Sequence, residues 1–204
     1  MHRFDEVQLR ERLEQLPVTH RIAIAAAAAT RQMGNLGRAP ESGATVRAQF
    51  LAALEAVWGA VATGRGPSDW PDVRATLMGY MTDDARDNFP EWTVWHTLSD
   101  DALASLVYAI RTLETGSTQD AAWAVGRAYE AADQATIRLL GGVQRGLPET
   151  ERMLLAHPGV QRELGRQAED LADAGHPGAL RARALVSPLL SAEEISTLGG
   201  DTEK

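Results

Sequence analysis

The sequence predicts an all-α fold, a single-domain bundle of about seven to nine helices. Three observations carry the prediction. Apolar residues recur at helical spacing along almost the whole chain, no stretch alternates convincingly as a strand, and glycine or proline punctuates most of the periodic runs. The 204 residues are 44% hydrophobic and 24% charged, which suits one domain with a sizeable core. We expect residues 1–198 to form that domain and 199–204 a frayed C-terminal tail.

Taken in order, Phe4 to Leu16 sets Phe4, Val7, Leu9, Leu13 and Leu16 near one stripe, and Pro17 ends it. Thr19 is a candidate cap for the next helix, which runs to about Met33 and is stopped by Gly34 and Gly37. A third helix spans Ala44 to Thr63, with Val46, Phe50, Leu54, Val57 and Val61 on its apolar face and Leu51 and Trp58 alongside. A turn-rich loop, Gly64 to Pro71, separates it from a helix over Asp72 to Met81. Thr82 to Trp92 then reads as a polar loop or short turn.

From Trp92 the helical pattern resumes, with Ser99 a plausible internal cap. Leu103, Leu106, Val107, Ile110 and Leu113 form the buried face, and Gly116 closes the helix. Thr118 caps the longest helix, to about Leu140, whose core stripe includes Ala121, Val125, Ala128 and Ala132. That stripe leaves Trp123, Arg127, Glu130, Gln134 and Ile137 on a different face, which we expect to contact another part of the chain or a second copy. Three shorter helices follow: one holding Met153 and Leu154, one running from Pro158 to Gly175, and one over Ala179 to Val186. His157 and His176 each precede Pro-Gly and read as helix punctuation, since proline suits the first turn.

The stretch HRIAIAAAAATRQM, His20 to Met33, contains five consecutive alanines. It is too weakly hydrophobic for a signal peptide and too short for a membrane span. Ile22, Ala25, Ala26 and Ala29 share one side, so part of the run faces the core. Alanine combines the best helix propensity with almost no bulk. The run therefore predicts a central helix approached closely by its neighbours, and a cytoplasmic protein.

Formal net charge is −8, which disfavours nucleic acid and acidic membranes as partners and fits a basic protein partner. There is no cysteine, which removes disulfides, thiolate metal sites and cysteine nucleophiles. The only lysine is Lys204, and alanine and arginine dominate. We read that bias as the mark of a GC-rich bacterial genome.

The chemistry-bearing constellations are sparse. The five histidines are dispersed, and the best pair, His96 with Asp100, is weak evidence for a metal, so we expect no metal and no cofactor. Asp83 with Asp84, Asp100 with Asp101, and Glu130 with Asp133 could supply general acid and base, though only the third pair shares a helix face. We read all three as structural and assign no catalytic residue. No nucleophile-elbow or phosphate-loop pattern occurs, and GGVQRG at 141–146 follows a helix instead of preceding one. Arg31, Arg38 and Arg47 lack the aromatic interleaving of a nucleic-acid surface.

One cluster is left. Asp83, Asp84, Asp87, Glu91, Asp100 and Asp101 are opposed within their segment by Arg86 alone, and Phe89, Trp92 and Trp95 lie among them. Carboxylates beside aromatics suit an interface that steers and anchors a basic partner. The candidate binding residues are therefore Asp83, Asp84, Asp87, Glu91, Trp92, Trp95, Asp100 and Asp101.

Several stretches resemble a family of uncharacterised bacterial proteins typified by YjaG. They are Leu13, Leu16 and Arg21 to Arg31, then VRAQFLAALEAVWGAV at 46–61, ALASLVYAIRTLETGSTQDAA at 102–122 and, more weakly, HPGVQRELGRQ at 157–167. The resemblance implies a compact all-α fold. It brings no activity and no catalytic residues.

Two functions follow as expectations. The first is a non-enzymatic helical binding protein, for example an immunity-type partner that neutralises a basic protein. The second is a helical enzyme or small-ligand-binding domain with a pocket between helices, where His96 and two or more carboxylates would converge. A homodimer through a helix face fits either.

Overall fold

The protein is described by a computed structural model covering residues 1–38, 43–67, 69–81 and 93–199. Those residues form ten helices and no strand. They are α1 (Glu6–Glu14), α2 (Val18–Gln32), α3 (Ala44–Thr63), α4 (Trp70–Met78), α5 (Val94–Thr115), α6 (Thr118–Leu139), α7 (Pro148–Ala156), α8 (Pro158–Ala172), α9 (Pro177–Val186) and α10 (Ala192–Gly199). The all-α expectation holds. The helix count exceeds the seven to nine expected because α10 forms after Val186, in a stretch for which the sequence reading assigned no helix. Leu198 explains it: the side chain is buried in an apolar cluster with Leu189 and Leu190 and ties the last helix down.

The alanine helix α2 lies at the centre, packed against α3, α5, α6, α8 and α9. Ala23 and Ala25 to Ala29 are fully buried. Ala25, Ala109 and Ala124 meet in a small cluster of their own, one alanine each from α2, α5 and α6. Three helices converge there because none presents more than a methyl group. The close-packing expectation is met at that point.

Helices α5 and α6 form an antiparallel hairpin and make the most extensive helix pair in the molecule. Gly116 joins them at φ +70, a left-handed conformation that closes α5. Arg21 fixes the same corner. Its guanidinium donates to the carbonyls of Leu13 (2.9 Å), Glu14 (2.9 Å) and Leu16 (3.0 Å) at the end of α1, and to Gly116 O at 3.0 Å. Carbonyls orphaned at helix ends thus find donors in one side chain.

Several boundaries differ from the sequence reading. α2 begins at Val18 behind Pro17, so Thr19 is a first-turn residue and not the cap. The cap of α6 is Ser117, whose side chain accepts from Asp120 N–H, with Thr118 already helical. α5 is continuous through Ser99; its cap is Thr93, and Ser99 instead donates to Asn35 O at 3.3 Å. Val7 is exposed, leaving Leu9 and Leu13 as the buried residues of α1. Helix α3 has the expected limits, Ala44–Thr63. Among the described residues, no helix is long and apolar enough to cross a membrane.

Arg31 is 2% exposed, on the buried side of α2. It pairs with Glu163 (2.8 Å) and Asp170 (2.6 Å) of α8, and Arg183 of α9 holds the other oxygen of Asp170 at 2.8 Å. Gln167 Nε2 donates to Glu163 at 3.0 Å. Burial works to lower the Arg31 pKa, but the two carboxylates outweigh it and hold the guanidinium above its ordinary value. This pairing removes Arg31 from any basic surface. Arg38 lies over the Trp95 ring at 5.2 Å while Arg47 is exposed on α3, so the three arginines form no patch.

Candidate functional site

Along α5, Thr97, Asp100, Asp101, Ala104 and Tyr108 recur at helical spacing, and along α6 Arg127, Glu130 and Gln134 do the same. The two stripes face a common recess of about 650 Å³. Asp133 and Tyr129 of α6, Arg145 from the following connection, Met81 and Phe4 complete the lining. The α6 stripe belongs to the face that sequence reasoning set apart as protein-contacting. What it contacts within the chain is Tyr108, which packs tilted against Trp123 at 5.3 Å between centroids.

The N-terminal segment forms one wall. Phe4 stacks on Tyr129, with rings 4.6 Å apart and 6° from parallel. His2 anchors the segment to α8: its N–H donates to Gln161 Oε1 at 2.8 Å and its carbonyl accepts from Gln161 Nε2 at 2.9 Å.

Four carboxylates and two guanidiniums line the recess, a formal surplus of two negative charges. Arg145 pairs with Asp133. Arg127 stands 2.7 Å from Glu130 and 3.4 Å from Asp101, so its shorter contact is with Glu130. Asp101 is 6% exposed, and its Oδ2 is buried without a hydrogen-bond partner among the described residues. Burial pushes the Asp101 carboxyl up to about 7, Arg127 only partly opposing it while Glu130 and Asp100 push the same way. Burial also raises the Tyr129 pKa. The arrangement can hold positive charge, and near neutral pH it can give up a proton at Asp101.

Of the sequence candidates, Asp100 and Asp101 come together here. Trp95 does not. It is 4% exposed, in a cluster with Leu98, Ala131 and Ala132 that lies under the α5–α6 hairpin, so it is a core residue. Asp83, Asp84, Asp87, Glu91 and Trp92 lie outside the described residues. The pair Glu130 and Asp133, read from sequence as structural, both line the recess. His96 does not: it is buried, its Nδ1 accepting from Thr93 N–H at 3.0 Å in a capping box. Among the described residues, no group of three metal-ligating side chains is placed to hold an ion.

Sequence reasoning missed Arg127, Arg145, Tyr108 and Tyr129 as partners of these acids. A signal was present: polar residues at 97, 100, 101 and 108 share a side of α5 away from its apolar row of Leu103, Leu106 and Ile110.

No protein-family model matches the sequence. No curated protein matches it either. The structure is similar to the crystal structure of a DUF416 family protein from Shewanella baltica OS155. The TM-score is 0.69 with 16% identity, over 94% of this chain and 91% of that one. The fold is similar to that of an uncharacterised family. At such identity the likeness extends to the fold alone.

Proposed function

We propose that this protein is a non-enzymatic helical binding protein, an immunity-type partner that holds a basic protein by seating one of its cationic side chains in the α5–α6 recess. The observation that carries this reading is the surplus of carboxylates over guanidiniums around a recess walled by Phe4, Tyr108 and Tyr129. Aromatic faces and carboxylates are the two groups that favour a cation, and charge of one sign in a recess steers a basic partner toward it. The proposal includes a cytoplasmic location, in keeping with an alanine run that serves as core. It also includes kinship with the YjaG-type helical proteins, which the four resembling stretches support.

A second reading, a small-ligand-binding domain with this recess as its pocket, is favoured by the volume, which falls in the range of small-molecule sites.

Affinity capture from the native host tests the first reading. The parent should retain a basic protein, and Gln134→Trp, an exposed position on the rim of the recess, should lose it. A triple Asp83→Asn, Asp84→Asn, Asp87→Asn variant serves as the comparison. Loss in that variant with full retention by Gln134→Trp would move the binding surface away from the recess.

A further inference from the structure

We infer that the group taken by the α5–α6 recess is an organic cation with N–H donors, a guanidinium or primary ammonium, seated against Asp101. The inference rests on the recess being the working site and goes further by naming the chemistry of its occupant.

Three observations lead to it. Asp101 lines the recess, yet it is more than nine-tenths buried, and among the described residues its Oδ2 has no hydrogen-bond partner. A buried acceptor in that condition costs stability unless something donates to it. The cations present leave that oxygen unserved: Arg127 reaches only Oδ1 of Asp101, at 3.4 Å, and lies closer to Glu130, while Arg145 pairs with Asp133. The rings of Tyr108 and Tyr129 line the same recess and supply apolar and π surface there, although Arg111 already lies over Tyr108 at 5.7 Å and Phe4 stacks on Tyr129. A guanidinium or ammonium group meets all three conditions, because it donates to the orphaned oxygen, offsets the charge surplus and rests on an aromatic face. A quaternary ammonium meets only the last two, and a neutral amide only the first.

The charged and titratable groups facing Asp101 are Asp100 from α5, Arg127, Glu130 and Asp133 from α6, and Arg145 from the connection that follows, with Tyr108 and Tyr129 at the walls. A cation entering this set favours the ionised carboxylate, so a protonated Asp101 releases its proton as the cation binds. The affinity should then rise with pH across the neutral range.

The test is titration calorimetry on the full chain with four probes: butylguanidinium, an acetylated arginine-containing tripeptide amide, tetramethylammonium and urea. The two guanidinium probes should bind about tenfold or more tightly than tetramethylammonium, and urea should not bind. Their affinity should increase from about pH 6 to about pH 8, with protons released, and Asp101→Asn should remove that increase and weaken them about tenfold. A peptide that outbinds butylguanidinium indicates a side chain delivered by a protein; the reverse order indicates a free small cation. Both orders support the inference.

Equal binding of tetramethylammonium, or unchanged binding in Asp101→Asn, overturns it. Should no cation bind while Gln134→Trp still abolishes partner capture, the recess remains the working site and only the assignment of its occupant falls. Should Gln134→Trp leave both capture and probe binding intact, the recess itself is the wrong site.

Discussion

Arg31 and Glu163, 132 residues apart in sequence, meet in a two-pronged pair inside the protein: Nε donates to Oε2 at 3.0 Å and Nη2 to Oε1 at 2.8 Å. The third prong, Nη1 to Asp170 at 2.6 Å, leaves each guanidinium nitrogen bonded to a carboxylate. The pair joins the central alanine helix to α8, and it does so where burial leaves no water to substitute. Removing Arg31 strands the Glu163 carboxylate, whereas removing Glu163 leaves Arg31 with Asp170.

Arg31→Met, which takes the paired guanidinium from the fully buried Glu163, should therefore cost about 3–5 kcal/mol, the range for uncompensated buried charges. The double variant Arg31→Met, Glu163→Met should cost much less than the sum of its singles. It strands neither charge of the pair, and Asp170 keeps Arg183. Urea melts of the four proteins measure this as a double-mutant cycle. Additive losses would mean that the two side chains stabilise independently.

At the centre of α2, Ala26→Leu should cost about 1–3 kcal/mol by overpacking, because Ala26 is wholly buried and its neighbours cannot recede without moving whole helices. Thermal melts that show no loss would contradict close packing around the alanine run.

Trp123→Ala should destabilise the fold by about 1 kcal/mol, through the lost contact with Tyr108. The ring is 38% exposed, which keeps the effect small. Tyr108 is also a wall of the recess. Near-ultraviolet circular dichroism of the variant should therefore report a changed tyrosine environment, and an unchanged spectrum would count against the contact.

Much of the fold is legible in the sequence because helix signals are local. The apolar period of Ala44–Thr63, the stop at Gly116 and the His157–Pro158 boundary need nothing beyond their own turn of chain. His157 shows the mechanism, its Nδ1 accepting from Gly159 N–H at 3.2 Å. Where two adjacent residues can both cap, as at Ser117 and Thr118, the local pattern does not choose between them, and the structure uses Ser117.

The recess was legible only in fragments. Asp100 and Asp101 stood out as an acidic pair and Glu130 and Asp133 as a shared face, but which helix lies beside which is a tertiary fact. The raised pKa of Asp101 depends on burial, with Arg127 opposing it and Glu130 adding to it, and sequence spacing records none of these. The same holds for Arg31, whose partners sit on α8, a helix that the sequence reading gives only by its limits. In that helix Glu163, Gln167 and Asp170 recur at four and three residues beside Val160 and Leu164, a polar row that the buried arginine requires.

Asp101 gives the last prediction, on stability against pH. In the unfolded chain its carboxyl ionises near 3.8, and in the fold near 7. Between those values the folded protein keeps a proton that the unfolded chain has lost. Stability from this group therefore falls as pH rises from about 4 to about 7, and the full penalty persists above. At roughly 1.4 kcal/mol per unit the penalty reaches about 4 kcal/mol, less wherever water reaches the carboxylate through the recess. Asp101→Asn removes the titration and keeps the shape. It should melt higher than the parent near pH 8, with the gap closing toward pH 4. Chemical denaturation of both proteins across that range measures the difference. Parallel profiles would show that Asp101 ionises in the fold as it does in water, and that its burial is relieved by a rearranged Arg127.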